Sequence, residues 1–81
     1  QSVTELAFDR DGFLWGATFG GLIRFEGDRV EVFGLDHLAG LGSNRITALA
    51  PARRGGLWVG VVDGGVARVD GGTVVERLPR V

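Results

Sequence analysis

Cysteine is absent from the 81 residues, which removes disulfides, thiolate catalysis, zinc–thiolate sites and iron–sulfur clusters together. Lysine is absent too, so all nine basic residues are arginine, and they stand against ten Asp and Glu for a net charge of −1. No basic stripe offsets that balance locally, so counterion release has little to act through, and DNA and RNA are not expected partners. No apolar stretch approaches the ~20 residues of a membrane-spanning helix, and Gln1-Ser2-Val3 does not open a leader sequence. This segment is therefore expected to be soluble and to make no membrane contact. His37 is the sole histidine, which excludes any multi-histidine metal site.

Glycine, by contrast, is abundant. Fifteen of the 81 residues are glycine, well above an average usage of about 7%, and each adds backbone entropy that folding must remove. A hydrophobic content of 44%, with Trp15, Trp58 and five Phe, argues against disorder. Short strands joined by many tight turns reconcile the two observations. A chain of this length holds one small domain at most and buries only about 60% of its unfolded surface, so packing alone must stabilise it.

The sequence repeats itself. Val3 aligns with Ile46, Thr4 with Thr47, Leu6 with Leu49, Gly12 with Gly55, Leu14 with Leu57 and Trp15 with Trp58, every pair 43 positions apart. After one inserted residue the offset becomes 44, and Gly21 meets Gly65, Leu22 Val66, Arg24 Arg68, Gly27 Gly71 and Val30 Val74. Each copy reads as four short strands. In the first, a strand over Val3 to Phe8 leads into an Asp9-Arg10-Asp11-Gly12 turn, where Gly12 can take the positive φ that closes a short hairpin loop. FLWGAT follows, nearly continuous in apolar character as a strand covered on both faces would be. Phe19-Gly20-Gly21 turns the chain, LIRFE runs back, Gly27-Asp28 turns it again, and RVEVF alternates like a half-exposed edge strand. The second copy has its turns at Arg53 to Gly56, Val62-Asp63-Gly64 and Gly71-Gly72. Apolar residues three apart at Val3/Leu6 and Ile46/Leu49 break strict alternation; a strand with a bulge at its start is preferred to a helix too short to stand alone. Glycines at 34, 40 and 42 favour a loop over a helical turn around Leu35, Leu38 and Leu41.

A four-stranded unit of this length with Trp in its second strand has the proportions of a β-propeller blade, although neither a Trp-Asp nor a Gly-His pair stands where the WD type needs one. It resembles the two-component regulator propeller repeat. Gly40-Leu41-Gly42-Ser43-Asn44 matches that family's GLPSN except for glycine at the proline. Ile46 and Leu49 fit its V-x-x-I, Gly55 to Gly60 its G-x-LWVG, and Gly64 to Val69 its last stretch. In the first copy Asp9, Gly12, Leu14, Trp15, Thr18, Gly20, Gly21, Leu22, Arg24 and Phe25 match. Departures are Pro51-Ala52 where an acidic residue belongs, Val61 for threonine, and Gly16-Ala17 for Ile-Gly. The resemblance implies the sensor region of membrane-anchored bacterial signalling proteins, hybrid histidine kinases and some diguanylate cyclases, in a periplasmic or extracytoplasmic location. It implies signal input; the output domains would lie outside this chain.

Each chemical motif has a structural explanation that outweighs it. Asp9-x-Asp11-Gly12 begins like a calcium loop, but no glutamate closes it and the second copy has Ala52-Arg53-Arg54-Gly55, so a hairpin turn is expected. Gly20-Gly21 and Gly64-Gly65 lie between strands and not before a helix, which makes them turns and not phosphate cradles. Asp36, His37 and Ser43 share the linker without a nucleophile elbow; Ser43 and Asn44 are expected to turn the chain into the next strand, and His37 to sit in solvent. Arg24 and Arg68 are expected to pair with acidic groups repeatedly, and Trp15 and Trp58 to pack between blades.

The expected architecture is all-β, two four-stranded antiparallel β-propeller blades forming an incomplete propeller. Residues 1–33 are blade 1, 34–44 the inter-blade loop and 45–81 blade 2. Trp15, Trp58, Gly12, Gly55, Gly21, Gly65, Arg24 and Arg68 are assigned as structural repeat positions. No catalytic, cofactor-binding or metal-ligating residue is assigned, no cofactor is expected, and the chain is not expected to be an enzyme. The partners expected are further blades of a parent protein or copies of this chain, with a small ligand of unknown class. Two blades cannot close a ring, so the chain is expected either to be a piece of a longer protein or to complete a ring by self-association.

Overall fold

The computed structural model describes all residues except 1, 35, 37, 39, 44, 63, 64 and 79–81. The readings made above for His37, Asn44 and Asp63-Gly64 fall outside the described residues. Eight strands run in chain order: β1 (Glu5–Phe8), β2 (Leu14–Thr18), β3 (Gly21–Glu26), β4 (Arg29–Phe33), β5 (Ile46–Pro51), β6 (Leu57–Val61), β7 (Gly65–Asp70) and β8 (Thr73–Leu78). They form two four-stranded sheets, each a meander in sequence order, and every neighbouring pair is antiparallel. No helix occurs among the described residues. The architecture is the all-β pair of propeller blades anticipated from the repeat.

The two blades superpose strand for strand through their registers. Trp15 pairs with Arg24 on β3, and Trp58 with Arg68 on β7. The change of offset from 43 to 44 falls at the β2–β3 turn, which joins Thr18 to Gly21 in blade 1 and Val61 to Gly65 in blade 2. A second shift lies in β8. Val74 pairs with Val69 and Glu76 with Arg68, so a bulge at Val75 gives blade 2 one further residue. At the blade starts, β5 carries the anticipated bulge, between Ile46 and Ala48. Blade 1 begins later than Val3, at Glu5. Thr4 N still donates to Ala17 O at 2.9 Å, while Val3 lies over Gly16, where a Cβ would meet its Cγ1 at 3.2 Å.

Alternation along the strands gives each blade two faces. On blade 1 the pairings put Ala7, Trp15, Ala17, Leu22 and Phe33 on one face, and this face is buried against blade 2. Blade 2 meets it with its opposite face, which carries Leu49, Leu57, Val59, Ala67 and Val69. The Phe33 ring fills the space where a Cβ on Gly72 would stand, and Arg10 Nη1 donates to Arg53 O at 3.1 Å, tying the two β1–β2-type turns together. Linker residues Leu38 and Leu41 are buried in the same cluster. The loop that carries them bends through a Leu38 N to Gly34 O bond of 3.1 Å and ends with Arg45 N donating to Ser43 Oγ at 3.0 Å.

β4 departs from expectation. Its alternation does not bury the valines: Val30 and Val32 are exposed and only Phe33 is buried. The cause lies in the arrangement of the blades. The apolar face that includes these valines points away from blade 2, so nothing among the described residues covers it.

Candidate functional site

The repeat positions gather around the two tryptophans. Asp9 organises the first turn: its Oδ1 accepts from Asp11 N at 2.9 Å and Phe13 N at 3.0 Å, and its Oδ2 accepts from Trp15 Nε1 at 2.8 Å. Gly12 completes the turn with φ of 92°. A carboxylate occupied by three donors of its own turn accounts for the Asp9-x-Asp11 spacing without a cation, and among the described residues no cluster of acids and histidine could hold a metal.

Above Trp15 lies Arg24. Its guanidinium stands 4.9 Å from the Phe13 ring, 5.5 Å from Trp15 and 5.7 Å from Phe33, and Nη2 reaches Glu26 at 2.6 Å and Glu31 at 2.7 Å. Its buried Nε has no hydrogen-bond partner among the described residues, lying against aromatic surface that attracts the cation through the ring quadrupole. Trp15 and Phe33 stack obliquely, with centroids 5.3 Å apart.

Blade 2 builds the same corner differently. Arg68 Nε donates to Glu76 Oε1 at 3.0 Å and Nη1 to Gly55 O at 3.1 Å, with Asp70 at 3.7 Å. Arg54 adds bonds of 2.7 and 2.8 Å to the two Glu76 oxygens. The hydrogen bond from Arg68 holds the Glu76 carboxyl below its ordinary value near 4.5; desolvation opposes this, and Arg54 reinforces it. Gly56 is forced: its φ is 74° and a Cβ there would collide with the Val69 carbonyl oxygen.

The structure separates the two tryptophans, which the sequence treats alike. Trp15 is buried between the blades, whereas Trp58 is half-buried on the outer face of blade 2. Within this chain the face that carries Trp58 has no blade over it. Ala52 stands in the place of Asp9, and the Trp58 indole N–H has no acceptor among the described residues. A hollow of about 400 Å³ is left there, lined by Pro51, Ala52, Arg53, Arg54, Trp58 and Arg68. Gly21 and Gly65, the remaining repeat positions, open β3 and β7 with φ of 128° and 79°.

Residues 40–63 match the protein family described as two component regulator propeller. That stretch of the chain is similar to the propeller repeat of the family. The matched stretch runs from the inter-blade loop through β5 and β6 and contains Gly55 and Trp58. Comparison with curated proteins and with solved structures gave no match.

Proposed function

We propose that this chain forms part of a sensory β-propeller outside the cytoplasmic membrane, which recognises a ligand or partner domain and passes that event to a transmembrane signalling protein. The observation that supports it is the match of residues 40–63 to the regulator-propeller family, in a chain that folds as two four-stranded sheets. Recognition would fall to the loop-lined ends or axial channel of the full ring. The Trp58 hollow is a poorer candidate, because the same position in blade 1 is closed by Asp9 and by the neighbouring blade. Catalysis is not part of the proposal: the carboxylates with assigned partners are taken up by turns and arginine pairs.

The test is made on the gene. A membrane-spanning helix followed by a kinase or diguanylate cyclase in the same protein, with output that responds to an extracellular signal and loses that response when these residues are deleted, is the expected result. A parent protein with no membrane helix, or output indifferent to the deletion, overturns the reading. A second role, as a unit that assembles with its own copies, is favoured by the uncovered apolar face of blade 1.

A further inference from the structure

We propose that the open face of blade 1 docks onto the open face of blade 2 in a second copy of this chain, repeating between molecules the contact that joins the two blades within one. The inference rests on reading the two sheets as blades of one repeat. Its warrant is a comparison of equivalent positions. Leu22 is 0% exposed in blade 1, and its counterpart Val66 is 37% exposed; Phe33 at 8% corresponds to Leu78 at 47%. On the other face the order reverses. Phe25 and Ile23 are half-buried where Val69 and Ala67 are buried, and exposed Leu6 and Val30 correspond to half-buried Leu49 and Val74.

Each blade therefore has one covered face, and the covered faces are opposite ones. What remains open is a matched pair of the same two kinds. The blade 1 side is apolar across its whole width, with Leu6 at 59%, Phe8 at 61%, Val30 at 51% and Val32 at 60% exposed. Bare sheet surface of this kind marks an interaction site in a soluble protein. The blade 2 side offers the Trp–Arg corner, with Trp58, Val66 and Leu78 in the places that Trp15, Leu22 and Phe33 take inside the chain. Such a contact is heterologous, with different patches meeting, so successive copies continue in one direction until they close a ring. Propellers carry typically four to eight blades, which corresponds to roughly two to four copies.

Light scattering on the 81-residue chain at micromolar concentration is expected to give a defined multimer, and a monomer overturns the proposal. Val32→Glu or Phe8→Glu on blade 1, and Val66→Glu or Leu78→Glu on blade 2, are each expected to weaken self-association at least tenfold while leaving the β-sheet circular dichroism intact. These side chains are exposed within one molecule, so the protomer tolerates them, and two variants per face guard against one that fails to fold. Mixing a Val32→Glu chain with a Val66→Glu chain leaves one good face on each, and a 1:1 dimer that grows no further is expected. A multimer that survives both blade 2 variants but not those on blade 1 means that two blade 1 faces pair with each other, and it overturns the proposal. In the sensory reading the same two faces are covered by neighbouring blades of a parent protein, and that reading is decided separately, by the output of the parent receptor.

Discussion

Asp9 and Ala52 occupy the same place in two copies of one turn, and the difference between them measures what a carboxylate adds there. Both turns close through equivalent backbone bonds: Asp9 N to Phe13 O at 2.9 Å and Gly12 N to Asp9 O at 3.1 Å in blade 1, Ala52 N to Gly56 O and Gly55 N to Ala52 O at 3.1 Å each in blade 2. The second copy shows that alanine is compatible with the turn. Asp9→Ala is therefore expected to leave the chain folded but to lower its unfolding free energy by about 1–3 kcal/mol, the cost of leaving a part-buried indole N–H without its acceptor, with two exposed amides turned over to water. Chemical denaturation followed by tryptophan fluorescence checks this, and an unchanged midpoint would show that water replaces the carboxylate fully. The turn itself was legible in Asp9-Arg10-Asp11-Gly12. Its bond to Trp15 was not, because spacing along a strand does not set which way an indole points.

Across β7 and β8 the pair Arg68–Glu76 repeats the blade 1 pair Arg24–Glu31 in the same register. Ion pairs that keep contact with solvent are screened and contribute little to stability, so these two align the middles of the paired strands more than they hold them together. Glu76 nonetheless leaves a pH signature. Its folded value is depressed below the ordinary 4.5, so the unfolded chain takes up the proton first as pH falls. The stabilisation is complete above that ordinary value and is lost as pH falls toward and through the folded one. Thermal unfolding between neutral pH and pH 3 is expected to show a steeper acid loss for the native chain than for Glu76→Gln; equal slopes would deny the carboxylate any such role. Within these strands the order, the antiparallel pairing and the longer β2–β3-type turn of blade 2 could be read from the repeat, because glycines mark the turns and the offset of 43 changes to 44 there. The bulge at Val75 could not, since Val74 and Val75 are both β-branched apolar residues and no glycine or polar residue betrays the extra position. Nor could the exposure of Trp58: the sequences around the two tryptophans are nearly alike, and a neighbouring blade, not local pattern, decides which one is covered.

The two blades share one core, and the inter-blade loop is built into it. Leu38 and Leu41 are each 1% exposed and belong to the same cluster as Trp15 and Phe33 of blade 1 and Leu57 and Val59 of blade 2. A loop of this length between two sheets would ordinarily be free surface. Here its leucines belong to the cluster that holds the two faces together. Leu41→Ala removes most of a fully buried side chain, and core truncations of this kind cost about 2–5 kcal/mol, depending on how far the surroundings collapse. Because the cavity opens in a cluster shared by both blades, the loss is expected to appear as one shifted transition, with fluorescence and circular dichroism tracing the same curve. Blades that were stable separately would instead lose only their mutual contact. Leu41→Ala would then give two transitions, with sheet signal persisting after the Trp15 environment had changed. A chain that melts in one step identifies the pair of blades as the cooperative unit, and that unit would be what docks, as a rigid block, when a second copy covers the open faces.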